Sequence, residues 1–207
     1  MEQVYWSERY RRGETGWDLG AETPVFRELL LQGRFPVPPV LEGRRTRVLV
    51  PGCGYGHDVR LLARAGYRVI AVDIAPEPLE RLRAELRREG LSCMLLCWDF
   101  FLLPGQLRHP VDAVLEYTFY CAIPPHRRRE YFAVLAQLVR PGGWLVGLFF
   151  PMSTEPPEVG PPFPVGRQEL LQSAQEHGFV LRWHEIPQSS HPARRGREEL
   201  MVFQQEG

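Results

Sequence analysis

A doubly wound α/β fold, with a mostly parallel seven-stranded sheet and an antiparallel edge strand, is predicted by three observations. Seven short apolar runs punctuate the chain after residue 46, and most are separated by segments with a helical apolar stripe. The run RVLVPGCGYGHD (47–58) joins the first strand to a helix through three glycines at alternating positions, Gly52, Gly54 and Gly56. The second run, RVIAVD (68–73), ends in the carboxylate of Asp73. Strand, glycine turn, helix, strand and carboxylate make the first half of a nucleotide-binding unit.

The elements follow in order. Residues 1–45 show no β-alternation but carry Trp6, Tyr10 and Trp17 among charges. They read as a short helix or loop, a turn at 13–16, and a helix opened by Thr23 as N-cap and Pro24 at the first helical position. The stretch FPVPP (35–39) is a stiff connector. Strands are expected over 47–50, 68–72, 93–97, 111–115, 144–150, 180–186 and 200–204. Helices are expected over 57–65, 77–88, 126–139 and 167–177, with Gly66, Gly90 and the Pro141-Gly142-Gly143 turn as stop signals. The last two strands have no helix between them and are expected to pair antiparallel. The Pro-rich loop 151–164 is long for an α/β connection, and such loops are often functional lids.

The 207 residues fit one domain with a sizeable core: residues 1–45 as an N-terminal lid or helical region, and 46–207 as a Rossmann-like core carrying the 151–164 loop. The 25 basic and 25 acidic residues balance, which argues against a polycation tracking nucleic acid. No apolar stretch approaches the roughly 20 residues of a membrane span. The polar start, MEQVYWSERYRRGE, lacks a signal-peptide core. A cytoplasmic protein with a small-molecule partner, and neither nucleic acid nor membrane, is expected. The oligomeric state is left open, and a monomer is compatible with it. Cys53, Cys93, Cys97 and Cys121 lie on or beside strands without paired CxxC spacing, so buried reduced thiols are expected and no metal site. All 25 basic residues are arginine and asparagine is absent. Codon bias in a G+C-rich genome would remove Lys and Asn together, a hypothesis that the genomic base composition tests.

Gly52 and Gly54 let the backbone turn sharply after the first strand and bare N–H groups where a Cβ would block a ligand. Asp73 falls where a carboxylate can accept both ribose hydroxyls. A dinucleotide site favours G-x-G-x-x-G, but here the third glycine comes one residue early and His57-Asp58 follow. An acidic residue at a helix start repels a pyrophosphate, so an adenosine without phosphates fits better, which favours S-adenosylmethionine over NAD. At the end of the third strand Asp99 is expected to hold the adenine amino group and Phe100 to cover the ring. The competing reading of that pair is a helix cap with a core aromatic.

The segments VLVPGCGYGHDV, VDI around Asp73, WDFF around Asp99, EYTFYCAIPP (116–125), LVRPGG, GPPFPV (160–165) and RRGREEL (194–200) occur in the order typical of one family. On these the chain resembles the thiopurine S-methyltransferase superfamily, and within it the thiol and halide (thiocyanate-type) methyltransferases most. The resemblance runs over nearly the whole chain. It implies the class I methyltransferase fold, S-adenosylmethionine as methyl donor and S-adenosylhomocysteine as product. It further implies that an N-terminal aromatic lid, here Trp6, Tyr10 and Trp17, closes over the donor. Gly52, Gly54, Asp73, Asp99, Phe100 and Tyr117 fall on its cofactor-contacting segments, with Tyr10 standing where relatives often have Trp. Phe119, Arg128 and Arg194 become candidates for the acceptor side.

Electron-rich ring faces attract a sulfonium cation by about 0.5–2 kcal/mol, which suits such a lid; packing of a polar segment is the alternative role. The sulfonium is itself an excellent leaving group, so a soft nucleophile needs positioning and dry surroundings more than a base. No catalytic acid or base is therefore assigned; His57, His126, His177 and His191 read as helix-end or surface residues. The acceptor pocket is expected beyond the strand ends, near residues 117–120, the 151–164 loop and the lid. The expected function is methyl transfer to a small thiol, thiopurine or halide. The alternatives are an oxygen or nitrogen acceptor on a small metabolite, a nicotinamide-dependent oxidoreductase, and a non-catalytic nucleotide-binding domain.

Overall fold

The computed structural model describes residues 3–153 and 160–207, and the chain divides into two compact units, Met1–Leu103 and Pro104–Gly207. The first unit opens with α1 (Gln3–Arg12), a polar helix whose one buried residue is Ser7, and α2 (Pro24–Leu31). Thr23 and Pro24 start α2 as expected, but the Thr23 hydroxyl does not cap it. It donates instead to Asp58, 2.7 Å away. After the proline connector comes a small hairpin, β1 (Val40–Leu41) and β2 (Arg44–Arg45), turned by Glu42 and Gly43 at φ 51° and 76°. Positive φ at both central residues suits a two-residue hairpin loop. Two-residue strands are too short to show alternation, so the sequence gives no sign of them.

Then β3 (Arg47–Pro51), α3 (His57–Arg64), β4 (Arg68–Asp73), α4 (Pro76–Arg88) and β5 (Met94–Cys97) alternate as expected. β4 pairs parallel with β3 on one side and β5 on the other. It is buried from Val69 to Asp73, and a strand covered on both faces reads as a continuous apolar run. α1 docks on the start of α4: Arg11 reaches Glu77 at 2.7 Å, and Ser7 hydrogen-bonds the same carboxylate.

In the second unit β6 (Val111–Tyr117) pairs parallel with β7 (Val139–Phe149). α5 (Arg128–Leu138) precedes β7, and α6 (Arg167–Glu176) leads to β8 (Phe179–Glu185). β9 (Glu199–Gln205) runs antiparallel to both β7 and β8, so the last two strands pair as expected, with β8 at the edge. One boundary differs. The Pro141-Gly142-Gly143 turn lies inside β7, which starts at Val139 directly after the helix, where a strand from Trp144 is expected. Gly142 has φ 74°, a Cβ on Gly143 would meet Val139 Cγ1 at 2.6 Å, and the register with β6 slips between Val111 and Ala113. The three residues form an irregularity within the strand, a role that bulge-like glycines often have.

Residues 154–159 of the expected 151–164 loop lie outside the described residues. Its flanks are joined by hydrogen bonds from Ser153 N to Val165 O and from Val165 N to Pro151 O. Among the described residues no helix is long and apolar enough to cross a membrane. All four cysteines are free thiols.

Candidate active site

The glycine turn of the first unit is built around Asp73. One carboxylate oxygen accepts Gly54 N–H at 2.9 Å and the other accepts Ala75 N–H at 3.0 Å. Ile74 N–H adds a third backbone bond, which leaves the carboxylate one of its four lone-pair sites for a further donor. Burial pushes the Asp73 carboxyl up to about 6, against those backbone bonds. Gly52 and Gly54 take φ 54° and 53°, the left-handed backbone that the turn needs. The third glycine has a packing role. Gly56 has φ 72°, and a Cβ there would lie 2.3 Å from Leu82 Cδ1 on α4.

The N-terminal aromatics meet this turn. Trp17 stands edge-on to Trp6 at 5.4 Å and to Tyr10 at 5.5 Å between ring centroids, and Tyr10 in turn meets Tyr55. The Tyr10 hydroxyl lies over Gly54, 3.4 Å from where a Cβ would be. Burial, then the nearby Asp73 and Cys53, raise its ionisation far above the usual tyrosine range. The cluster already holds a cation: the Arg9 guanidinium carbon lies 5.1 Å from the Trp17 ring centre and 6.0 Å from that of Trp6. Trp6, Tyr10, Trp17, Gly54 and Asp73 are thus brought together.

His57 and Asp58, which sequence reasoning used only to argue against a pyrophosphate, fasten this segment. Asp58 accepts both the N–H and the hydroxyl of Thr23, at 2.8 and 2.7 Å. His57 Nε2 lies 3.0 Å from Asp18 Oδ1, and His57 is the leading reason the Asp18 carboxyl sits below its usual range. No local pattern advertises these pairings, since the partners are some 35–40 residues apart.

Asp99 and Phe100 fall one turn beyond β5. Trp98 N–H donates to the Asp73 carbonyl at 3.0 Å, which places this turn beside Asp73 along the main chain. Asp99 caps a short 3-10 turn by accepting Phe101 N–H at 2.9 Å, and Phe100 is buried. The cap and core roles weighed for this pair are therefore both present.

In the second unit β6 ends in Glu116 and Tyr117. Tyr117 donates its hydroxyl to Glu198. The Arg194 guanidinium carbon lies 5.0 Å from the Tyr117 ring centre and 4.8 Å from that of Phe150, and it also hydrogen-bonds the Tyr117 side chain. Glu116 is fully enclosed: it accepts Phe119 N–H at 3.0 Å, Tyr120 N–H at 2.7 Å and the Tyr131 hydroxyl at 3.0 Å. Burial outweighs those bonds and pushes its carboxyl up to about 7. The carboxylate fixes the turn after Thr118, a non-glycine at φ 60°, and so fixes Phe119, which is buried near Tyr131. Arg128 is wholly buried, with Nη2 donating to the carbonyls of Phe163 and Pro164 at 3.1 and 2.8 Å. It braces the far flank of the long loop and stacks at 4.9 Å on Tyr120. Glu116 and Glu198 were missed by sequence reasoning, because a glutamate near the end of one strand or just ahead of another carries no spacing signal.

A family profile described as Thiopurine S-methyltransferase (TPMT) matches residues 1–198. The chain belongs to the thiopurine S-methyltransferase family. It is 32% identical over 176 residues to a probable thiol methyltransferase 2 of Arabidopsis thaliana, covering 84% of this chain and 73% of that protein. It is 29% identical over 204 residues to a thiocyanate methyltransferase 1 of Brassica oleracea, covering 97% and 84%. Among solved structures, it superposes with TM-score 0.75 and 20% identity on the 1,6-didemethyltoxoflavin-N1-methyltransferase of Burkholderia thailandensis, over 99% of this chain and 87% of that one. That structure contains its substrate and S-adenosylhomocysteine. The family and the class I methyltransferase fold expected from the sequence are both borne out. The magnesium protoporphyrin IX methyltransferase of Synechocystis PCC 6803, which shares the fold, has been solved with S-adenosylmethionine and with S-adenosylhomocysteine bound.

Proposed function

We propose that this protein transfers a methyl group from S-adenosylmethionine to a small soft nucleophile, a thiol, thiopurine or halide. The observation that carries the reading is Asp73, a buried carboxylate clasped by Gly54 and Ala75 N–H groups with lone-pair capacity to spare. That acceptor suits a hydroxyl donated by a ribose. Bound, the donor supplies a methyl group on a sulfonium that departs as neutral S-adenosylhomocysteine.

In this reading Asp73 orients the ribose, Gly52 and Gly54 leave room for the chain that ends in the sulfonium, and Asp99 with Phe100 serves the adenine. Trp6, Tyr10 and Trp17 cover the donor. Arg9, stacked on Trp17, is the cation that the sulfonium would have to accommodate or displace. Tyr117, Phe119 and Arg194 belong to the acceptor side. Arg128 acts there indirectly, by bracing the backbone at Phe163 and Pro164. Catalysis then comes from alignment at about 3–3.5 Å and exclusion of water. The relatives named for thiol and thiocyanate support a sulfur or pseudohalide acceptor, whereas the toxoflavin enzyme keeps a nitrogen acceptor as the second reading. The four free thiols are consistent with a reducing, cytoplasmic setting.

The test is a donor-consumption assay with thiols, iodide, thiocyanate, thiopurines, and small hydroxyl and amine compounds. Turnover confined to oxygen or nitrogen acceptors would replace the acceptor assignment. Donor binding without turnover on any acceptor would favour the non-catalytic reading.

A further inference from the structure

Glu198 sits in RRGREEL, a segment to which no role beyond Arg194 has been given. It is only 1% exposed. One oxygen accepts the Tyr117 hydroxyl, and the other, Oε2, is buried with no hydrogen-bond partner among the described residues. Buried polar oxygens are almost always paired, so one held in place and left open calls for a donor that arrives from outside. Tyr117 is the last residue of β6, and the carboxyl ends of strands are where open α/β sheets bind ligands. Arg194, stacked on Tyr117 and Phe150, adds a positive charge at the same place.

We propose that Glu198 Oε2 takes the proton of the methyl acceptor, so that the preferred acceptor is a small thiol entering as S–H, not a halide or thiocyanate anion. The inference rests on the methyl-transfer reading and narrows it. The S–H proton passes to Glu198 Oε2, and a sulfur lone pair forms the new S–CH3 bond. The methyl–sulfonium bond breaks, its electron pair staying on the sulfur of S-adenosylhomocysteine. A thioether leaves, and the Glu198 carboxylic acid returns its proton to water. Arg194 balances negative charge growing on the acceptor sulfur. Tyr117 is a positioning residue that fixes the carboxylate. An anion brings no proton to Oε2 and meets a like charge there, which weakens its binding.

The experiment compares initial rates of S-adenosylhomocysteine formation with benzenethiol, an alkyl thiol and iodide, from pH 5.5 to 9.5, for the wild type and Glu198→Gln. With the donor saturating, alkyl-thiol kcat/KM in the wild type should stay nearly level from about pH 7 to 9, because Glu198 takes the proton that the thiol would otherwise have to lose to water. Glu198→Gln should lower kcat for the alkyl thiol roughly 100-fold at pH 7, within the range of a lost general base, with the deficit shrinking as pH nears the thiol's own pKa. Benzenethiol, more acidic, should lose less. Iodide methylation should rise several-fold once the like charge is gone. Equal losses for the thiols and iodide, or a thiol deficit independent of pH, would overturn the proposal while leaving methyl transfer intact. A wild type that consumes donor with none of the three would overturn the methyl-transfer reading and the proposal together. Should Glu198→Gln fail to fold, as judged by thermal unfolding, the wild-type pH profile decides: an alkyl-thiol kcat/KM that climbs tenfold per pH unit toward the thiol's own pKa refutes it.

Discussion

Replacing Asp58 by alanine should release the N-terminal segment from α3 while leaving the sheet folded. Asp58 accepts two bonds from Thr23, at 2.8 Å from its N–H and 2.7 Å from its hydroxyl. Hydrogen bonds to a charged group contribute about 1.5–3 kcal/mol each. Burial raises the Asp58 carboxyl above its usual range and offsets part of that gain, so a net loss of about 3 kcal/mol is expected. Since 1.4 kcal/mol is a factor of ten, local opening of the segment should become roughly 100-fold more frequent. Hydrogen exchange followed by mass spectrometry reads this directly: amides in α1 and in the 13–23 stretch should exchange faster, with β3 and β4 unchanged. Thr23→Val removes only the hydroxyl bond and should give about a tenfold effect, corresponding to roughly 1.5 kcal/mol. Exchange in α1 and 13–23 within twofold of wild type in Asp58→Ala would refute the anchoring argument. So would acceleration spread evenly over β3 and β4.

In the proposed site Asp73 takes the ribose as a carboxylate, and burial pushes that carboxyl up to about 6. S-adenosylhomocysteine affinity measured by calorimetry should therefore fall about tenfold per pH unit below 6, whereas Asp73→Asn should bind weakly at every pH. Arg128→Met strips the carbonyls of Phe163 and Pro164 of their buried donor, and urea denaturation should show a loss of about 2–4 kcal/mol. Unchanged stability with a raised acceptor KM would instead make Arg128 a substrate ligand. Glu116 is pushed up to about 7, above its unfolded value, so the folded state holds the extra proton and stability falls as pH rises from about 4.5 through 7. The wild type should lose on the order of 3 kcal/mol over that window relative to Glu116→Gln; parallel pH curves for the two would contradict this.

The alternation of strands and helices was legible because β4 and its neighbours are covered on both faces, which leaves dense apolar runs. The β1–β2 hairpin was not, because two residues per strand carry no period. The start of β7 was misplaced because Pro-Gly-Gly signals a turn locally, while Val139 ahead of it pairs with Val111; continuous pairing with β6 and β9 begins at Trp144. In the candidate site a local motif with known spacing singled out the glycine turn and Asp73, but the Gly54 N–H expected to face a ligand is taken by Asp73 itself. The unusual glycine register, however, is explained by Leu82, a packing partner on another helix. His57 and Asp58 pointed correctly away from a pyrophosphate, yet their anchoring of Asp18 and Thr23 is a long-range fact. Arg128 and Arg194 looked alike in sequence. Both are buried, and their partners separate them: Arg128 is spent on backbone carbonyls, and Arg194 lies over Tyr117 at the end of β6.

The central claim is that the Asp73 turn binds a phosphate-free adenosine donor. Isothermal titration of S-adenosylhomocysteine and of NAD into the wild type and Asp73→Ala tests it most directly. The wild type should bind S-adenosylhomocysteine and not NAD, and Asp73→Ala, still folded by thermal unfolding, should lose at least tenfold in affinity. Tight NAD binding, or S-adenosylhomocysteine binding indifferent to Asp73, would contradict the account.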